Sequence, residues 1–320
     1  MHMLNQQSKF MSRRHHNIVG CFTLLLTLLL FAQPHQTFAQ HGTTHTNNSI
    51  SSEILGQEVP YSVYLPPSYH TSERPYPVLY LLHGADGNYL DWVYFGDVQH
   101  IADEAFNDPS IPEMIIVMPD GFVDIYYQNQ YDGSLDYEDF FVEEFIPEIE
   151  QTYRTMAQQE PLYPDGQYRS ISGLSMGGYG AMYYTLKYPQ MFSSAYSMSG
   201  AFLSPNTQFP SSYNEDDVNE RFESIGGPMV NGVYQNFDQN TIQTLSETFP
   251  EDQIPMLPVL YIDCGDDDWL LPDNLEVFDI MRDRGFNVEL RINDGGHTQE
   301  YWRAALPKAI RVAGHSFRGW

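Results

Sequence analysis

Gly173-Leu174-Ser175-Met176-Gly177 sits between a strand-like run, residues 168–172, and a helix-like run, residues 178–187. In a Gly-x-Ser-x-Gly motif the serine stands on a sharp, strained turn from strand to helix, where side chains flanking it at the glycine positions would collide. A strand that feeds a helix in this way belongs to a parallel sheet with helical crossovers. The pentapeptide alone is modest evidence, and its strand and helix flanks are what give it weight.

The rest of the chain has the same rhythm. Residues 76–82 and 114–118 are nearly all apolar, as strands buried on both faces are. Residues 61–65, 192–198, 258–264 and 288–292 read as further strands, and helices are expected over 140–153, after Ser175, over 274–284 and over 300–312. With 42% hydrophobic residues against 18% charged, there is enough apolar side chain for a sizeable core. Residues 203–256 break the pattern with Pro205, Pro210, Gly226-Gly227-Pro228 and many amides, and are read as an excursion over the sheet that shapes a substrate site. The domain plan is therefore a single domain over 52–320, preceded by a disordered leader over 40–51, where apolar content is almost nil.

Residues 1–39 differ from the remainder. Lys9, Arg13 and Arg14 precede an apolar run over 18–32, and Thr37-Phe38-Ala39 supplies small residues at cleavage spacing, which is a signal peptide pattern. The run is shorter than the ~20 residues a membrane span needs. Cleavage would place the protein outside the cell or in a periplasm. It would remove three of 15 basic residues and none of 42 acidic ones, for a net charge of −30, and leave Cys264 as the lone cysteine. Such a charge repels nucleic acid and anionic membrane surfaces and fits equally a salt-adapted surface or an ordinary acidic secreted protein, while a lone cysteine excludes an intramolecular disulfide.

A nucleophilic serine needs a base. Seven histidines follow residue 39, and His297 stands after Gly295-Gly296 beyond the last predicted strand, where this topology presents one. His83 ends a strand and precedes Gly84, which suits a loop that shapes an oxyanion hole and contacts substrate. Asp266, Asp267 and Asp268 follow the 258–264 strand, in the order Ser, Asp, His; three consecutive acids cannot converge on one calcium ion. Of the three, Asp268 precedes apolar Trp269, Leu270 and Leu271, the best shelter from water. The oxyanion donors are expected to be the N–H groups of Met176 and, in the loop after His83-Gly84, Ala85. The aromatics at 89–95 and Tyr126, Tyr127 and Tyr131 could stack on substrate or merely pack loops, and Cys264 reads as a buried strand residue.

Together the blocks at 52–67, 76–84, 173–180, 264–271 and 295–303 resemble the esterase D-type family, which includes feruloyl esterases, acetylxylan esterases, S-formylglutathione hydrolases and mycolyltransferases. The resemblance implies an α/β-hydrolase fold, a mostly parallel central sheet flanked by helices on both faces. It implies Ser175, Asp268 and His297 as a triad, Met176 and Ala85 as oxyanion donors, and Trp302 beside the substrate. The sequence gives no sign of a metal or an organic cofactor. The expected function is a secreted serine ester hydrolase that releases small acyl or aryl-acyl groups, such as acetyl or feruloyl, from carbohydrate. Acyl transfer to a sugar and a non-catalytic binding protein are the alternatives. Oligomeric state is left open.

Overall fold

All five side chains of the strand Val78–Leu82 are buried, and because strand residues alternate between faces they divide between two cores. Val78, Tyr80 and Leu82 join one apolar cluster, Leu79 and Leu81 the other. The central sheet is therefore covered on both sides, which is why its strands read as unbroken apolar runs. The computed structural model describes residues 41–123, 125–159, 167–204, 207–230 and 233–317, and His41–Trp320 forms one compact unit. The expected signal peptide lies outside the described residues.

The large sheet has eight strands: β1 (Thr43–Ser52), β2 (Gln57–Leu65), β3 (Val78–Leu82), β4 (Ile115–Pro119), β5 (Arg169–Leu174), β6 (Ser194–Met198), β7 (Val259–Gly265) and β8 (Val288–Asn293). Their spatial order is β1-β2-β4-β3-β5-β6-β7-β8. β1 and β2 pair antiparallel, as do β2 and β4, and every other neighbouring pair is parallel. One face carries α1 (Val98–Ala105) and, further along the chain, Gln299–Ser316; the other carries α2 (Ile146–Thr152), α3 (Met176–Lys187), α4 (Glu215–Gly226), which lies within the excursion, and α5 (Leu271–Asp283). Gln299–Ser316 is α6.

Residues 43–52 correct the sequence reading. They form strand β1, eight residues of which pair with β2, and not a disordered leader. The segment is polar because an edge strand with one sheltered side needs few apolar residues: Ile50 and Ser52 are buried while alternate neighbours face solvent. Its entry is tied down by the Gly42 N–H on Asp103 (2.8 Å), a carboxylate that also accepts from Tyr64. The helix expected over 140–153 starts as a π-helical turn, Phe140–Phe145, in which the Ile146 N–H reaches Phe141 O. Pro147 lacks the N–H that Glu143 O would take in an α-helix, which favours the wider turn there. Between β6 and β7, Phe222, Ile225, Phe237, Ile242 and Phe249 pack into the cluster beneath them, so this excursion shares the main core.

Candidate active site

β5 ends at Leu174, α3 begins at Met176, and Ser175 between them has φ 51° and ψ −116°. A serine held at positive φ costs about 1–3 kcal/mol and persists only where its surroundings enforce it. Here the Ser175 N–H donates to Met198 O (2.8 Å), and its carbonyl accepts from Tyr179 (3.0 Å) and Ala201 (2.9 Å). The two glycines are needed for contact between backbones. A Cβ on Gly173 would lie 2.4 Å from the Gly177 carbonyl carbon, and one on Gly177 would lie 2.5 Å from His83 O and 2.6 Å from Leu82 O. Gly177 thus allows the end of β3 to lie against the serine turn.

Three residues far apart in sequence meet here. Ser175 Oγ lies 3.0 Å from His297 Nε2, and His297 Nδ1 lies 2.9 Å and 3.1 Å from Asp268 Oδ2 and Oδ1. Asp268 is buried, and its Oδ1 also accepts the Leu270 N–H (2.9 Å). Burial alone would raise its pKa, but the hydrogen bond and charge of His297, with the Leu270 N–H, outweigh that and hold it below the ordinary carboxylate value. Asp266 and Asp267 are exposed; Asp266 accepts the Gly295 N–H (3.0 Å) instead. The imidazole stands edge-on between Trp302 (centroids 4.8 Å apart) and Trp269 (5.7 Å). A hydroxyl, an imidazole and a buried carboxylate in this chain can move a proton from oxygen to nitrogen and stabilise the resulting cation.

Met176 is the first residue of α3, so its N–H has no intrahelical acceptor. Ala85 borders the same cleft as Ser175, and a Cβ added to its neighbour Gly84 would lie 3.4 Å from Ser175 Cβ. His83, read from the sequence as a substrate contact in the oxyanion loop, does not line the cleft at Ser175. Its ring is buried, with Nδ1 donating to Gly84 O (2.7 Å) and Nε2 accepting from the Gly121 N–H (2.7 Å). Burial pushes its pKa down to about 4, against the opposing Gly84 bond, so it is neutral and its tautomer is set. His83 holds the loop that presents Ala85, and Tyr127 completes the hold by donating to His83 O (2.9 Å). Trp302 is buried and packs edge-on against the His297 ring and beside Phe95.

The cleft at Ser175 is narrow and lined by Ala85, Tyr126, Ala201, Phe209, Tyr213, Phe222 and Trp269. Its rings touch one another, with centroids 5.4 Å apart for Tyr213–Trp269, 5.6 Å for Phe209–Trp269 and 6.2 Å for Phe209–Phe222. Of the aromatics singled out in the sequence, only Tyr126 lines this cleft; Tyr127 is buried beneath it, and Tyr131 is exposed elsewhere. Phe209, Tyr213 and Phe222 were missed because they come from the excursion, which has no repeating pattern to orient them. A larger cavity of about 480 Å³, lined by Asp263, Asn293, Gly295 and Tyr301, lies behind the His297 loop and does not reach Ser175. Cys264 is buried, which pushes its thiol pKa well up and makes it a poor nucleophile. Among the described residues no group of His, Cys, Asp and Glu could hold a metal, and no helix is long and apolar enough to cross a membrane.

Comparison with known proteins agrees with this fold. The Esterase family model matches residues 52–312. An esterase of Mycobacterium tuberculosis is 40% identical over 152 residues, 47% of this chain, and the matched part is only 30% of that longer protein. An acetyl esterase of Caldicellulosiruptor saccharolyticus is 26% identical over 234 residues, covering 72% of this chain and 81% of its own. Among solved structures, a ferulic acid esterase is 32% identical with a TM-score of 0.73, over 87% of this chain and 99% of its own, which makes the fold an α/β-hydrolase fold.

Proposed function

Since the chain belongs to the Esterase family, we propose that it is an exported serine carboxylic ester hydrolase that cleaves aryl-acyl or small acyl esters of carbohydrate. It is an esterase of the feruloyl and acetyl esterase type; the catalytic residues, the export and the substrate are the proposal. The observation that carries the substrate reading is the wall of contacting rings around Ser175, formed by Tyr126, Phe209, Tyr213, Phe222 and Trp269. Flat aromatic faces hold a planar acyl group through offset and edge-on contacts.

In this reading His297 Nε2 takes the Ser175 proton as Oγ attacks the ester carbonyl. The N–H groups of Met176 and Ala85 receive the developing oxyanion, and Asp268 stabilises the imidazolium. His297 returns the proton to the leaving alcohol, and water then repeats the sequence to free the acid. The N-terminal signal pattern supports action on a polymer outside the cell, and the acidic surface suits neutral polysaccharide better than anionic polymers. The test is a panel of methyl ferulate, p-nitrophenyl acetate and feruloylated or acetylated xylan, with product acid quantified. Release of ferulate at a higher kcat/KM than acetate from matched alcohols is expected. Absence of free acid from every carbohydrate ester, with simple esters cleaved, would overturn the substrate assignment.

A further inference from the structure

His297 is presented by a short loop, residues 294–298, between β8 and α6, so its reach to Ser175 depends on how that loop is held. On one side the turn after β7 grips it: Asp266 accepts the Gly295 N–H (3.0 Å), and the Asp267 N–H donates to Gly295 O (2.9 Å). On the other side stands Tyr301, in the first turn of α6. Its ring lies where a Cβ on Gly295 would be, 2.7 Å away, and Gly295 has φ 137°. Its hydroxyl donates to Asp263 Oδ1.

Asp263 is buried at 1% exposure near the end of β7. Its Oδ2 accepts from Tyr196 OH (2.7 Å), and both its oxygens lie 3.2 Å from Asn293 Nδ2 at the end of β8. Among the described residues it makes no ion pair with Lys, Arg or His, so neutral donors alone satisfy it. A buried carboxylate without a cation is costly to keep, and an apolar residue would fill the space at less expense. What the carboxylate joins explains its presence. Through Asn293 and Tyr301 it ties together the two ends of the segment that carries His297.

We propose that Asp263 and Tyr301 are positioning residues for His297, with the Tyr301 hydroxyl on Asp263 setting the height of the 294–298 loop over Ser175. The proposal rests on the reading of His297 as the general base. Displacements near 1 Å can cost about a hundredfold in rate, and loss of one of several anchors is expected to cost about tenfold.

The test uses Tyr301→Phe, which deletes one oxygen and keeps the ring on Gly295, and Tyr196→Phe, which deletes the other hydroxyl on the same carboxylate but touches no part of the His297 loop. Each full-length variant is assayed for kcat and KM on p-nitrophenyl acetate, for its rate of reaction with a fluorophosphonate probe, and for Tm. For Tyr301→Phe, kcat and the fluorophosphonate rate should fall about tenfold with KM within twofold. For Tyr196→Phe, kcat should stay within twofold whatever happens to Tm. A Tyr301→Phe kcat within twofold of the parent, or equal losses in both variants, would overturn the proposal. His297→Ala separates this from the underlying reading. Substantial turnover in that variant removes the base itself, whereas an inactive His297→Ala beside a fully active Tyr301→Phe removes only the positioning role.

Discussion

Replacing Asp268 by Asn tests the site at its most sheltered point. The substitution keeps size and shape but exchanges an acceptor-only carboxylate for an amide. Both Asp268 oxygens face His297 Nδ1, at 2.9 and 3.1 Å, and Oδ1 already holds the Leu270 N–H. An amide there either turns its NH₂ toward Nδ1, which selects the tautomer that cannot accept the Ser175 proton at Nε2, or turns its oxygen there and leaves NH₂ against the Leu270 N–H. In either case the charge opposite the imidazolium is gone. With an effective dielectric near 20, a unit charge pair at this separation is worth about 5 kcal/mol. At about 1.4 kcal/mol per decade of rate, that is about 10³ to 10⁴ in kcat, in line with the effect of the same change in a serine protease triad. Asp266→Asn keeps an oxygen for the Gly295 N–H and Asp267 contributes its backbone, so each of those Asn variants should lose less than about tenfold. The assay is kcat on p-nitrophenyl acetate for the three variants, each checked by circular dichroism. Retention of more than about a tenth of parental kcat by Asp268→Asn, or the large loss at Asp266 or Asp267, would refute this account of the carboxylate.

Ser175→Ala should fold and retain less than about a hundredth of parental turnover, since only binding and oxyanion contacts remain; a higher residual rate in purified protein would remove the nucleophile assignment. Asp273, buried at the start of α5, has its pKa pushed up to about 6 by burial, against the Thr207 hydroxyl and with help from Glu276. Its folded form therefore binds a proton that the unfolded chain has released, and stability falls as pH rises from about 4 through 6. Asp273→Asn should be more stable than the parent by about 2 kcal/mol at pH 7 and equal to it at pH 4, read from denaturant midpoints; an equal difference at both pH values would exclude this titration. With 42 acidic against 15 basic residues, Tm should rise between low and molar sodium chloride as like-charge repulsion is screened, and a flat or falling Tm would confine the charge to solubility.

The elbow at Ser175, the buried strands β3 to β7 and the position of His297 were legible in the amino-acid order, because each depends on neighbours in the chain: glycines two residues from a serine, an apolar run long enough for one strand, a Gly-Gly pair before a histidine. Which of three adjacent aspartates faces His297 was narrowed by the apolar residues after Asp268, and the burial of that side chain is decided by the packing of the turn after β7. Other features were beyond local pattern. β1 carries little apolar residue and pairs through its backbone, so composition mistook it for a leader. The partners of His83, which bonds to Gly84 and Gly121, and of Trp302, which packs on the His297 ring, come from the fold and not from local pattern. The aromatic wall and the Asp263–Tyr301 anchor bring together residues from separate strands, helices and the excursion. Local sequence sets the conformation of a turn or strand, whereas the surroundings of a side chain depend on which distant elements pack against it, and only the tertiary fold decides that.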